Sequence, residues 1–355
     1  MSHIFQVKSL RSKMMLPILS LMGFGVILLT FFLVERFTAL QSKTIEQWVI
    51  SATDAQAKTM AGHLGNFVAQ TRTMAQLAEE LEKNPDALKA KELDDVAKKI
   101  LATSHGIQCV YFMFVRGAYF SPSMTQEGMY HNFAWYQTPN GPARDGDPGG
   151  FPIGHTPADD YFRIPERTGH EAITNPYYYR YTGSSDSLLV ASFTYPIFIK
   201  GHFAGIAGMD LTLKDIWKDI VSKNDLTDGA YAFLVANNGF CAAHPKPEAI
   251  GTIVGSKSDI PDSSKKALLN AIQQGNKFWV ETPNQATGIL SRLSFSPIQI
   301  GNTGTPWSLG TVFSMTTILE PVFNLRNLAL LVSLIILVAL GFLIFWVSSS
   351  IAKPV

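Results

Sequence analysis

Charge is scarce in this chain: of 355 residues only 16% are Asp, Glu, Lys or Arg, and the formal net charge is +1. That balance, with no cluster of Lys and Arg, excludes nucleic-acid binding that rests on bulk positive charge. Cysteine is almost absent. Cys109 lies inside an apolar run and Cys241 far along the chain, so a disulfide-stapled scaffold is excluded and a bridge between the two is not expected. Catalytic signatures are missing too: no Gly-x-Ser-x-Gly, no His-Glu-x-x-His and no Gly-x-x-x-x-Gly-Lys-Ser/Thr occurs. His131, His155, His170, His202 and His244 are scattered without ligand spacing, and Asp145-Gly146-Asp147 lacks the closing Glu of a calcium loop. The expectation is a protein that is not an enzyme, with no cofactor and no metal.

What charge there is leaves two long gaps. No charged residue falls between Lys13 and Glu35, and none between Arg326 and Lys353. About 20 apolar helical residues cross about 30 Å of hydrocarbon, so two membrane spans are predicted, over 14–37 and 325–349. The first lacks a small-residue cleavage site and runs on into a helical pattern, which marks an uncleaved anchor. Lys8, Arg11 and Lys13 precede it without an acid, whereas Glu35 and Arg36 cancel beyond it. The tail 1–13 is therefore expected in the cytoplasm, and both chain ends with it.

Between the spans the period of the apolar pattern changes. Leu40, Ile45, Trp48, Val49, Ala52, Met60, Leu64, Phe67, Val68, Met74 and Leu81 recur at helical steps, predicting one long helix over 37–81; a shorter one follows over 86–102. From Gly106 the signal is β. A hairpin is expected from 107–115 through Arg116-Gly117 into 118–120, then a long loop over 139–157 rich in proline and glycine, then strands at 188–199 and 203–213. A helical linker over 214–223 leads to a second β-rich stretch, with Asn238-Gly239 as a hairpin turn and strands near 231–235, 240–243, 278–282, 288–297 and 307–315. The fold class is α+β, with two modules of the same outline, 38–213 and 214–322.

This order resembles the double Cache sensor domains of bacterial transmembrane receptors, most of all methyl-accepting chemotaxis proteins. The residues that carry the resemblance are Asn175-Pro176-Tyr177-Tyr178-Tyr179, the strand around Pro196, Gly205-Ile206-Ala207-Gly208-Met209-Asp210, the run from Gly229 to Val235 with Asn238-Gly239 and His244-Pro245, and Thr305-Pro306-Trp307-Ser308-Leu309. They imply two stacked PAS-like antiparallel modules over 38–322. The ending Ile351-Ala352-Lys353-Pro354-Val355 is similar to the start of a HAMP linker, so 350–355 would open that linker and the output half would be missing.

The resemblance also implies a ligand site in the first module. In the family's amino-acid sensors an Arg-x-Trp-Tyr segment holds the ligand carboxylate and an Asp ending the glycine-rich strand holds its amino group. Here that segment reads Ala158-Asp159-Asp160-Tyr161, so Tyr161 and Asp210 match while the Arg and Trp do not, and Arg163 lies two residues beyond. Carboxylates and aromatic faces without a guanidinium favour a cation, an amine or amino-acid-like ligand. Tyr177 and Tyr179 share a strand face and either line the pocket or simply pack. Of Trp135 and Tyr136, adjacent on a strand, only one can face a pocket, unless both form a hydrophobic edge. Asp210 either meets a ligand or caps the following helix, and Asp160 either joins the site or is a surface or N-cap acid.

The expected function is the ligand-sensing half of a chemoreceptor in the inner membrane, its sensor domain periplasmic or extracellular. It would be a homodimer that signals through the second span to cytoplasmic proteins. An input domain of a sensor kinase or diguanylate cyclase is the alternative output; a partner-binding ectodomain without a small-molecule ligand is the alternative in kind. The topology has a direct check. A reporter fused after Arg36 should lie outside the cytoplasm and one after Pro354 inside; both on one side would end the two-span reading.

Overall fold

The computed structural model describes residues 10–104, 106–146, 150–216, 230–256, 260–283 and 288–351. Outside them lie the expected tail 1–9, Asp147 of the acidic turn with Pro148 and Gly149, the linker stretch 217–223, Gly229 and the ending 352–355. The described chain forms two compact units, one of residues 50–314 and one from the two ends up to 49 and from 315.

The helical periodicity becomes α1, Leu10–Glu80, with no proline after Pro17. A single 3-10 turn separates it from α2, Asp86–Thr103. In the unit of the two ends, α1 lies beside the last helix α6, Met315–Ile351, with Thr30 Oγ1 donating to Ser333 Oγ over 2.9 Å. Phe24, Leu28, Phe31, Leu334, Val338 and Phe342 are exposed along these helices, and both are long and apolar enough to cross a membrane.

The larger unit holds two antiparallel sheets. The first contains β1 (Cys109–Phe114), β2 (His131–Thr138), β3 (Gly141–Asp145), β4 (Ala172–Ile173), β5 (Tyr177–Tyr179), β6 (Leu188–Ile199) and β7 (His202–Thr212), in the order β3-β2-β1-β7-β6-β4 with β5 also on β6. Helix α3, Asp160–Thr168, precedes β4, and the one-turn α4, Leu213–Ile216, follows β7. The second sheet contains β8 (Tyr231–Val235), β9 (Cys241–Ala243), β10 (Phe278–Pro283), β11 (Leu290–Ile298) and β12 (Trp307–Ser314), in the order β10-β11-β12-β8-β9, with α5, Asp262–Gln274, before β10. The first strand of each module thus pairs with its last: β1 with β7 and β8 with β12. The duplication expected in outline is a duplication of topology.

The same contact repeats at that shared pair. Gly208 faces Tyr111 and Gly310 faces Phe233, and a Cβ on either glycine would come within about 2.3 Å of the ring opposite. Each glycine lets an aromatic side chain lie flat on the last strand.

Two local expectations are corrected. Residues 118–120 form no strand; β1 pairs instead with β2 and β7, and Tyr119 and Phe120 turn into the core, where Phe114 stacks on Tyr119 at 4.2 Å. A hairpin arm at the edge would have left those rings in water, and burial of both outweighs the ladder. Residues 139–157 are not all loop either, since β3 pairs with β2 and Phe151 bridges Tyr130. The turn at Lys200-Gly201 has both φ angles positive, 51° and 82°, as a two-residue hairpin requires.

A junction centred on the buried Glu171 holds the modules to α1. Glu171, just before β4, accepts from Arg72 of α1 over 2.6 Å and from the backbone N–H of Asn302 in the second module. Asn175 Oδ1 accepts from Asn238 N over 3.1 Å. Glu171→Ala removes the acceptor of both bonds, one of them charge-assisted, so chemical denaturation should show a loss of about 1–3 kcal/mol. A loss below about 0.5 kcal/mol would mean that the junction contributes nothing.

Candidate ligand-binding site

Strand alternation sends the side chains of the first sheet to two faces. Val110, Phe112, Phe114, Phe133, Ala207 and Met209 pack towards α1 and α2, while Cys109, Tyr111, Met113, Ala134, Tyr136 and Ile206 pack on the opposite face, under α3 and the chain around Tyr181. On that second face lies a small cavity of about 20 Å³, lined by Cys109, Tyr111, Met113, Asn132, Ala134, Asp145, Phe151, Tyr161, Tyr177, Tyr179 and Asp210. Space of that size holds one or two water centres, so a ligand larger than that enters only as the lining side chains move apart. No Arg or Lys is among the lining residues.

Two carboxylates define its chemistry. Asp210 sits mid-sheet on β7, 4% exposed, opposite Cys109 and Ser192. Its Oδ1 accepts from Ser192 Oγ over 2.6 Å and its Oδ2 from Tyr181 OH over 2.9 Å. The serine has one proton and gives it to Asp210, so Tyr177 OH, 2.7 Å away, donates to Ser192 Oγ. Asp145, at the end of β3, accepts from Thr182 N (2.7 Å) and Tyr179 OH (2.8 Å). Both carboxylates are therefore tied to one short stretch of chain, 179–182.

Burial pushes the Asp210 carboxyl up to about 6, opposed by the bonds from Ser192 and Tyr181 and assisted by the Asp145 charge. Burial raises the phenols of Tyr111, Tyr161, Tyr177 and Tyr181, with Asp210 adding to it, and that of Tyr179, where Asp145 adds. These hydroxyls keep their protons at neutral pH.

Of the seven residues expected from sequence, Tyr161, Tyr177, Tyr179 and Asp210 line this cavity. Tyr136 stands beside it, stacked on Tyr181 at 4.8 Å, its OH donating to Thr182 O over 2.7 Å. Trp135 faces the other side of the sheet, where Nε1 donates to Asp94 of α2 over 2.9 Å and Lys98 lies 4.6 Å from the ring centroid. Asp160 begins α3 and borders a separate surface cleft with His155, Thr156, Arg163, Glu166 and Arg167. Arg163 is bound to Glu166 and to the carbonyls of Ile153 and Gly154, away from the cavity. Asp210 caps no helix; its carboxylate is spent inside the sheet.

Sequence reasoning missed Tyr111, Asn132, Asp145, Tyr181 and Ser192. Asp145 showed only as part of an acidic turn, and Asn132 and Tyr111 come into place through the register of β1 against β2 and β7. Both cysteines are free and buried.

Comparison with known proteins adds the family. The Cache domain model matches residues 41–322, most of the chain. The chain belongs to the Cache domain family. Its double Cache architecture recurs in the extracellular domain of mmHK1S-Z3, a proposed histidine kinase, at a TM-score of 0.65 and 22% identity over 80% of this chain and 99% of that one. It recurs in the ligand-binding domain of the Pseudomonas aeruginosa PAO1 amino acid chemoreceptor PctB, solved with L-Arg, at 0.54 and 19% over 78% and 97%. Methyl-accepting chemotaxis protein PscA of Pseudomonas syringae pv. tomato is 28% identical over 163 residues, 42% of this Cache chain but only 22% of PscA.

The buried aspartate makes stability depend on pH. A folded-state value near 6, above the unfolded 3.8, means that this group's stabilisation is complete below about pH 3.8 and lost as pH rises through 6. Asp210→Asn should lack that loss, so the variant should gain on the wild type by about 2 kcal/mol between pH 4 and pH 7.5 in chemical denaturation. Parallel pH profiles would rule out a raised carboxyl at this position.

Proposed function

We propose that the chain is the sensory part of a bacterial transmembrane receptor whose first Cache module binds a small ammonium-bearing molecule, an amine or an amino-acid-like cation. The observation that carries this reading is the cavity with two carboxylates, four tyrosines and no Arg or Lys among its lining residues. An ammonium group there gains charge-assisted bonds to Asp210 and Asp145 and the faces of Tyr161, Tyr177 and Tyr179. A carboxylate-only ligand meets like charge. Trp135 and Asp160, on other surfaces, have no part in this site.

The similarity to PscA favours a chemoreceptor output over a kinase or cyclase, and the two apolar helices that flank the Cache modules favour an inner-membrane protein with those modules outside the cytoplasm; the homodimer belongs to the same proposal. Signalling would run through α6, which follows β12 without an intervening residue.

Thermal-shift screening of the detergent-solubilised chain against amines, amino acids, purines and organic acids tests this. Amines should raise the Tm, by about 2.7 kcal/mol of stabilisation at a hundred times Kd, and Asp210→Ala should abolish the effect. Because binding needs the ionised aspartate, affinity should fall about tenfold per unit below pH 6. A response to organic acids alone would overturn the reading. So would silence towards every class, which would leave the ectodomain as a binder of protein partners.

A further inference from the structure

Resting on that reading, we infer that the cavity selects ammonium groups that carry N–H over fully alkylated ones, and that Tyr111 and Asn132 are the residues that make the choice. Among the described residues, few buried side-chain polar atoms lack a hydrogen-bond partner, and two of them, Tyr111 OH and Asn132 Oδ1, line this one cavity. Their side chains are nearly inaccessible, 4% and 2% exposed. An unpaired buried polar atom costs about 1–3 kcal/mol, so two in one cavity point to a ligand that satisfies both.

The orientation of the Asn132 amide is settled by its neighbour. Nδ2 donates to the Asp145 carbonyl over 3.1 Å, which leaves Oδ1, a pure acceptor, as the free atom. Gly146 permits that approach: its φ is +79°, and a Cβ there would stand 2.7 Å from Nδ2. Tyr111 lies flat over Gly208, on the strand that carries Asp210, and its phenol feels the Asp210 charge. Asn132 Oδ1, the Tyr111 hydroxyl oxygen and the two carboxylates together form a surplus of acceptors with no basic side chain to balance them. A primary ammonium brings three N–H donors and the compensating charge. A quaternary ammonium brings the charge alone and would leave Asn132 Oδ1 unpaired.

The test uses two cations of equal charge and nearly equal size, tert-butylammonium and tetramethylammonium, with methylammonium as a smaller probe, all on the full chain. Tyr111→Phe removes a hydroxyl that lies near Asp210 and Ser192 but meets neither at full hydrogen-bond geometry, so its ligand-free Tm should change little; Asn132→Ala gives a second variant. The wild type should bind methylammonium and tert-butylammonium, and tetramethylammonium at least tenfold more weakly. Tyr111→Phe should bind methylammonium about tenfold more weakly than wild type while its affinity for tetramethylammonium stays the same. Equal affinities for tert-butylammonium and tetramethylammonium, or wild-type methylammonium affinity in Tyr111→Phe, would overturn the selectivity and leave the amine reading standing. No shift with any of the three cations would overturn the selectivity as well, and the amine reading would fall with it if the wider amine and amino-acid screen were also silent.

Discussion

One face of α1 is shared by both sheets. Met60, Leu64 and Val68 pack in a continuous core with Phe193 and Leu211 from the first sheet and with Leu234, Trp307 and Leu309 from the second. Each fully buried side chain of this kind contributes about 1.5–3 kcal/mol, so neither sheet can slide along the helix without losing several such contacts. Further along, Met74, Ala75 and Ala78 back the first sheet together with Leu93, Ala97 and Leu101 of α2. With one face sealed against helices, the opposite face of the first sheet remains for a cavity.

That cavity is built around a carboxylate placed where only strong compensation makes it tolerable. Asp210 lies near the end of β7 between two buried neighbours, Met209 and Leu211. Ser192 and Tyr181 supply donors, and the raised carboxyl shows that they offset the burial only in part. Ser192 also joins the site to the module boundary, since its N–H donates to Thr174 Oγ1 over 2.9 Å and the next residue, Asn175, accepts from Asn238 of the second module. A change at Asp210 is therefore three residues from the contact between modules.

The second module has the same strand order but a more apolar lining on the corresponding face. Phe233 lies against Gly310 where Tyr111 lies against Gly208, and Phe295 meets it at 5.6 Å. With Val235, Cys241, Leu268, Ile272 and Val312 around them, these side chains form an apolar cluster, and the His244 ring lies 5.3 Å from Phe233. One topology thus carries a tyrosine-lined face with two carboxylates in one copy and a mostly apolar face in the other.

Periodicity made the long helices, the two apolar helices and most strands legible, because a helix or strand with one buried face must repeat at 3.6 or 2 residues whatever it packs against. Tyr177 and Tyr179 shared a face for the same reason, and Trp135 and Tyr136 parted to opposite faces. Residues 118–120 and 139–145 were misjudged because their state depends on partners distant in sequence, the ring cluster at Phe114 and the edge of β2. Matching a motif brought in Tyr161 and Asp210, yet it also brought in Asp160, whose place one residue earlier on a helix points it into a different cleft.

By itself, then, the sequence determined most of the helical and alternating segments and which of them are apolar enough to cross a bilayer. Those are properties of local composition and spacing. Only the tertiary structure decided which acids share a site, because Asp145 and Asp210 meet through the register of four neighbouring strands, β3-β2-β1-β7. It alone decided that Asn132 and Tyr111 keep unpaired polar atoms in the cavity, since a hydrogen bond left unmade is a relation between neighbours in space and leaves no mark on the chain.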